Sequence, residues 1–102
     1  MASETSAVIR SRVERARDLQ VNRSSKMNAQ LDNIETEKVV LLQDEHRLLL
    51  DRSMDRLNLS ARAYHRILRV ARTIGDLDDK RDVSVDHLSE AIAYRNIEKY
   101  SV

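Results

Sequence analysis

The chain of 102 residues contains no cysteine, proline, phenylalanine or tryptophan, and it has a single glycine. Without cysteine it can form neither a disulfide framework nor a thiolate metal site, and this absence is compatible with a reducing cytoplasm. Strands favour aromatic residues and tight turns favour glycine and proline, and all of these are scarce here. The composition therefore favours an all-α fold, a small bundle of four to five helices.

The single glycine, Gly75, also excludes the common nucleotide-binding loops. A Walker-type loop needs at least two glycines followed by a Lys-Ser/Thr pair, and a dinucleotide-binding fingerprint needs three glycines. Neither pattern can be built from one glycine. We therefore expect that this chain is not an enzyme of the glycine-loop type by itself.

The net charge is too small to indicate a nucleic-acid partner, since 18 basic residues face 17 acidic ones. No apolar run approaches the roughly 20 residues of a membrane span, and the N-terminus lacks the apolar segment of a signal peptide. We expect a cytoplasmic protein with no membrane partner. Its length indicates one domain, at residues 6–100, preceded by a tail at residues 1–5 that is disordered or an expression remnant.

Hydrophobic periodicity and capping residues predict the helices. The first three predicted helices span residues 6 to about 20 or 23, about 34–41, and 45–57. A long helix follows Ser60 and a last helix follows Ser84, and a connecting loop is predicted at 22–33. The predicted caps of the first and third helices are Ser6 and Asp44. The side chains expected to face the core are Ile9, Val13, Ala16 and Leu19 in the first helix, Val39, Val40 and Leu41 in the second, and Val85, Leu88, Ala91 and Ile92 in the last.

The stretch from Leu57 to Leu77 is the most informative part of the chain. Ser60 is well placed as an N-cap, because its hydroxyl can accept a hydrogen bond from a backbone N–H in the first turn. Apolar residues then recur on one side of a helix, at Ala63, Tyr64, Ile67, Val70, Ala71, Ile74 and Leu77. The opposite, exposed side carries Arg62, His65, Arg69, Arg72 and Asp76, with Arg66 at the margin.

This arginine face, Arg62, Arg66, Arg69 and Arg72, is the candidate functional site. One interpretation is a solvated surface balanced by Asp76, Asp78 and Asp79, and the other is an anion-binding surface. Arg62 stands out because it lies in the first turn, where free N–H groups and the helix dipole favour phosphate. Without an aromatic stacking platform, however, four arginines are weak evidence for single-strand binding.

The histidines and serines do not indicate a metal site or a nucleophile. His46, His65 and His87 lie on three different predicted helices, and no acidic residue completes a ligand set. We expect them at the surface or at its boundary. Ser60 and His65 lie five residues apart and face different directions, and capping explains Ser60 fully.

Four segments resemble the C-terminal helical domain of Mg-chelatase-like AAA+ ATPases, most closely the bacterial ComM/YifB group. They read E-T-S-A-V-I-R-S-R-V-E-R-A-R at 4–17, N-A-Q-L at 28–31, L-S-A-R-A-Y-H-R-I-L-R-V-A-R-T-I-G-D-L at 59–77 and H-L-S-E-A-I-A-Y-R at 87–95. The sequence departs from the pattern at Gly75, where an alanine is usual. We expect this glycine to soften the helix end without touching a functional position.

The resemblance implies that the chain is a fragment of an ATPase that uses ATP with Mg. In such proteins the P-loop, the Walker acidic motif and the arginine finger belong to a core that precedes this region. The helical domain forms a lid over the nucleotide, and the arginine of S-A-R, here Arg62, is the sensor-2 residue that reaches the γ-phosphate. No cofactor is expected for the fragment alone. The implied partners are the AAA+ core of its own chain and neighbouring subunits of a hexamer.

The resemblance leaves the substrate of the parent protein open. ComM-type members act on DNA as branch-migration motors during natural transformation, whereas true chelatase subunits drive magnesium insertion into protoporphyrin. The sequence around Arg62 is most similar to the ComM-type group, which favours a parent protein that acts on DNA. The alternatives are the lid of a true chelatase subunit, a stand-alone DNA-binding module that uses the arginines of the first and fourth helices, and a protein–protein adaptor.

Overall fold

A computed structural model describes residues 5–100, with side chains as far as Arg95, and these residues form five α-helices, one 3₁₀ turn and no strand. The elements are α1 Ser6–Ser24, the 3₁₀ turn Asn28–Gln30, α2 Asn33–Val39, α3 Asp44–Leu57, α4 Ala61–Leu77 and α5 Val85–Tyr100. The predicted all-α fold is confirmed. Of the tail predicted at residues 1–5, residues 1–4 lie outside the described part of the chain.

Helix α4 is the centre of the bundle, because α1, α2, α5 and the 3₁₀ turn all pack against it. Leu50 of α3, Ile67 and Leu68 of α4, and Leu88 of α5 are the largest fully buried apolar side chains. Val40, Ala71, Val83 and Ala91 complete this core. Burial of apolar surface stabilises the bundle by roughly 25 cal/mol for each Å² removed from water. In this core, one side of α4 packs against buried side chains of α3 and α5.

The predicted caps of α4 and α5, Ser60 and Ser84, are confirmed. The Ser60 hydroxyl accepts the N–H of Ala63 at 3.2 Å, and the Ser84 hydroxyl accepts the N–H of His87 at 3.3 Å. Helix α1 is capped by Thr5 rather than Ser6, because Thr5 has the extended backbone that lets its hydroxyl accept the N–H of Val8. Asp44 lies inside the first turn of α3, where its charge complements the helix dipole.

The buried stripe predicted for α1 is only half correct. Ala16 is buried and Leu19 partly buried, whereas Ile9 and Val13 are exposed over almost half of their surface. The periodicity is right, but the described elements leave Ile9 and Val13 about half uncovered. The prediction therefore failed at the N-terminal end of α1.

Two further core predictions are wrong for local reasons. Leu41 is 80% exposed because α2 ends at Val39, so that Val40 points into the core and Leu41 lies in the link to α3. Val85 is exposed because it stands in the first turn of α5, before the helix meets α4. The loop predicted at 22–33 contains the end of α1 and the 3₁₀ turn, and Leu31 is buried there.

None of the helices in the described residues combines the length and the apolar character that a membrane span requires.

Candidate functional site

Arg62 lies in the first turn of α4, directly after the Ser60 cap, and its side chain is exposed. Within the described part of the chain no hydrogen bond or ion pair holds its guanidinium group. A free guanidinium beside a helix N-terminus presents charge-assisted donors together with the positive end of the helix dipole. This arrangement suits the binding of a phosphate or carboxylate group.

Arg66 and Arg69 continue the same side of α4 one and two turns further along. They line a cleft of about 370 Å³ between α4, α5 and the 3₁₀ turn. The other lining residues include Thr73 on α4 and Tyr94 on α5, and Tyr94 is half-exposed. The structure thus places an aromatic ring beside two of the predicted arginines, which the spacing along the chain does not reveal.

Arg72 is not part of an exposed anion-binding face, so this prediction is wrong. Its side chain is 3% exposed, and its Nη1 and Nη2 donate to the carbonyl oxygens of Arg81 and Lys80 at 2.8 and 2.7 Å. Burial lowers the pKa of the Arg72 guanidinium, and the nearby Asp76 carboxylate opposes that effect. Arg72 therefore fastens the link between α4 and α5 to the body of the domain.

Asp76 was expected to balance the arginines in solvent, and this is also wrong, because its side chain is completely buried. Arg23 of α1 donates to both carboxylate oxygens, from Nη2 at 2.6 Å and from Nη1 at 3.2 Å. Asn28 Nδ2 donates to Asp76 Oδ2 at 2.9 Å, and Arg72 Nε lies 3.3 Å from Oδ1. The carboxylate thus joins α1, the 3₁₀ turn and α4.

Arg23, Asn28 and Gln20 are the residues of this network that the sequence analysis missed. Gln20 Oε1 accepts the backbone N–H of Asn28 at 2.8 Å, and both side chains are buried. The one signal was that Asn28 begins the N-A-Q-L segment, which is among the four segments that carry the family resemblance. In a helical-periodicity analysis, however, a polar side chain counts as exposed, and this buried pairing was overlooked.

Gly75 lies beside this buried network, against Arg72 rather than against Arg62, Arg66 or Arg69. A Cβ atom at Gly75 would lie 3.0 Å from Arg72 Nη2 and 3.5 Å from His87 Nδ1. The missing methyl group therefore leaves room for the buried guanidinium. Gly75 is part of the packing that orients Arg72.

His87 was expected at the surface, but it is buried and caps α5. Its Nδ1 accepts the backbone N–H of Ser84 at 3.0 Å, so the ring proton is on Nε2, which lies 3.1 Å from Asp78 Oδ2. Together with the Ser84 hydroxyl this makes a reciprocal cap. The hydrogen bond with the His87 ring lowers the pKa of Asp78 below its ordinary value of 3.8.

His46 and His65 are both partly buried, on α3 and α4. His65 lies 3.3 Å from Glu37 through its Nε2, and His46 lies 3.8 Å from its neighbour Glu45. Across residues 5–95, no three histidine, aspartate or glutamate side chains converge in an arrangement that could hold a metal ion.

Comparison with known proteins adds a family to this geometry. Residues 3–95 match the family described as the C-terminal part of magnesium chelatase subunit ChlI. The chain is 44% identical over 92 residues to the competence protein ComM of Haemophilus influenzae, covering 90% of this chain and 18% of that protein. It is 41% identical over 96 residues to YifB of Escherichia coli K12, covering 94% of this chain and 19% of that protein. The chain thus spans about a fifth of the length of these relatives.

The buried network gives a first prediction about stability. Asp76→Asn removes the counter-charge of Arg72 and places an amide donor against Arg23, so we expect a loss of about 3–5 kcal/mol in the free energy of unfolding. Asp79→Asn is the matched control, since Asp79 is largely exposed and 3.9 Å from Arg15, and it should cost less than about 0.5 kcal/mol. Urea unfolding at pH 7 measures both, and equal losses would contradict the role of Asp76.

The Asp78–His87 pair gives a second prediction, on acid stability. Because the folded-state pKa of Asp78 lies below its ordinary 3.8, its contribution is present above about pH 4 and is lost as the pH falls through the folded pKa. The difference in unfolding free energy between the unsubstituted protein and Asp78→Asn should therefore shrink between pH 5 and pH 3. Asp18→Asn, on the exposed side of α1, serves as the control. A gap that stays constant over this range would show that the hydrogen bond does not favour the carboxylate.

Proposed function

The chain belongs to the family of the C-terminal domain of magnesium chelatase subunit ChlI, and on this premise we propose that it is the lid of a longer AAA+ ATPase in which Arg62 is the sensor-2 residue. The observation that carries the proposal is the exposed guanidinium of Arg62 in the first turn of the Ser60-capped helix, held by no other described group. The resemblance in sequence points to the same residue.

The residues around Arg62 fit an anionic ligand such as the γ-phosphate of ATP. The planar guanidinium can donate two parallel hydrogen bonds to phosphate oxygens, and the helix N-terminus adds a favourable field. ATP, with Mg, is the substrate of the proposed parent enzyme, whose P-loop core binds it. Arg62 in turn stabilises the negative charge that develops as the γ-phosphoryl group is transferred. For the isolated chain we expect neither hydrolysis nor a bound cofactor.

The proposed partners are the AAA+ core of the same polypeptide and the neighbouring subunits of a hexamer, in the cytoplasm where ATP is available. A lid that contacts the γ-phosphate through Arg62 has a different preferred position before and after hydrolysis, and this couples the nucleotide state to movement between subunits. One relative is named a competence protein, which supports a parent that acts on DNA rather than on a porphyrin.

The decisive test is ATP turnover by the full-length protein carrying Arg62→Ala. We expect turnover to fall by about 100-fold or more, because one donor to the developing phosphate charge is removed. The domain should remain folded, since Arg62 is exposed and supports no packing. Arg62→Lys keeps the charge but not the two-pronged geometry, and should recover only part of the turnover.

The matched control for Arg62 is Arg52→Ala on the exposed side of α3, which removes an arginine from a different surface of the same domain. It should leave turnover unchanged. Full turnover in Arg62→Ala, with the circular dichroism spectrum of the unsubstituted protein, would remove the sensor-2 assignment and favour the DNA-binding interpretation.

A second candidate function, binding of a nucleic-acid strand by the domain itself, is supported by the cleft beside Arg69. Tyr94 lines this cleft together with Arg66 and Arg69, so a ring on which a base can stack lies next to donors for the phosphate backbone. This is the aromatic platform whose absence from the sequence pattern argued against such binding.

Binding of the 102-residue chain to a single-stranded oligonucleotide tests this second function. Tyr94→Ala should weaken binding by about 1–3 kcal/mol through lost stacking. Arg69→Ala should weaken it for all sequences and reduce the dependence on salt concentration. Arg52→Ala is again the control. If the unsubstituted chain shows no binding at low salt, the cleft is not a nucleic-acid site.

A further inference from the structure

We propose that the exposed apolar stripe on the first two turns of α1 is the docking surface for the part of the parent polypeptide that precedes this domain. The stripe consists of Val8, Ile9 and Val13. The surface that covers it is apolar at its centre and rimmed by carboxylates. This inference rests on the proposed function in one respect, namely that the chain is the C-terminal part of a longer protein.

The stripe continues the buried face of α1 beyond the point where the bundle ends. Ile9 and Val13 stand seven and three residues before Ala16, so they fall on the same side of the helix. Ala16 is buried at 3% exposure, whereas Val8, Ile9 and Val13 are 49, 48 and 42% exposed. One helix face is therefore covered by α4 in its second half and left open by the described residues in its first half.

The charges around the stripe indicate the chemistry of its partner. Arg10 and Arg17 flank it without a partner among the described residues, whereas Arg15 donates to the Leu77 carbonyl oxygen and lies 3.9 Å from Asp79. A second copy of the chain would bring two such basic helices together, and like charges at short range are unfavourable. An apolar surface with acidic residues at its edge is complementary to both the stripe and the arginines.

The location of the stripe indicates which polypeptide covers it. The family is a C-terminal domain, and the aligned part makes up only 18–19% of the relatives' length. In a protein of that length, the preceding polypeptide enters the domain next to the Thr5 cap, within one turn of Val8. The stripe is thus the apolar surface that the preceding region meets first.

The test compares thiol alkylation in the 102-residue chain and in the full-length protein. The chain has no cysteine, so Ile9→Cys and Val13→Cys each introduce one reporter, which peptide mass spectrometry follows in the full-length protein. We expect alkylation at both positions to be about 10-fold or more slower in the full-length protein, because docking removes the thiol from reagent except during local opening. Ser89→Cys, an exposed position on α5, is the control and should react at the same rate in both.

Equal alkylation rates of Ile9→Cys in the two proteins would overturn the proposal. So would protection in the 102-residue chain itself that increases with its concentration, since a second copy would then cover the stripe. Alkylation is measured without turnover, so a failure of Arg62→Ala to reduce ATP hydrolysis would leave this result unaffected. The two proposals can therefore fail separately.

Discussion

The carboxylate of Asp76 has no exposure to solvent, so the surrounding structure must supply the partners that water would otherwise provide. Arg23 and Arg72 supply the charge, and Asn28 supplies a further donor. Each partner comes from a different part of the fold. Since an unpaired buried charge costs several kcal/mol, the arrangement that satisfies Asp76 fixes the relative positions of α1, the 3₁₀ turn and α4. The Arg72 guanidinium then holds the link to α5 as well.

This network divides the arginine face of α4 into two parts with different roles. Arg62 and Arg69 lie on the half that α1 and the α4–α5 link leave uncovered, whereas Arg72 lies one turn further along, beneath that link. All three are arginines that helical periodicity places on the polar side of α4. Their surroundings leave the Arg62 guanidinium exposed, whereas the Arg72 guanidinium is buried and bonded to the α4–α5 link.

The sequence predicted the helix content, the Ser60 cap and the apolar side of α4 correctly, because these depend on local hydrogen bonds and on periodicity. It failed at His87 because that ring folds back to cap α5, and at Arg72 and Asp76 because periodicity assumes that a helix has one buried side. Helix α4 is the central helix, and a second set of elements covers part of its polar side. Contacts such as Arg23–Asp76, between residues 53 positions apart, leave no periodic signal in the sequence.

The way α1 is anchored also determines where the domain opens most easily. Helix α1 has 19 residues, which corresponds to a rod of about 28 Å at 1.5 Å per residue. Arg23 holds its last turn to Asp76 and Arg15 holds its middle to the Leu77 carbonyl oxygen, whereas the apolar side chains of its first two turns are half exposed. Few buried contacts hold those first turns, so local unfolding of α1 costs the least free energy there and reaches the Asp76 network last.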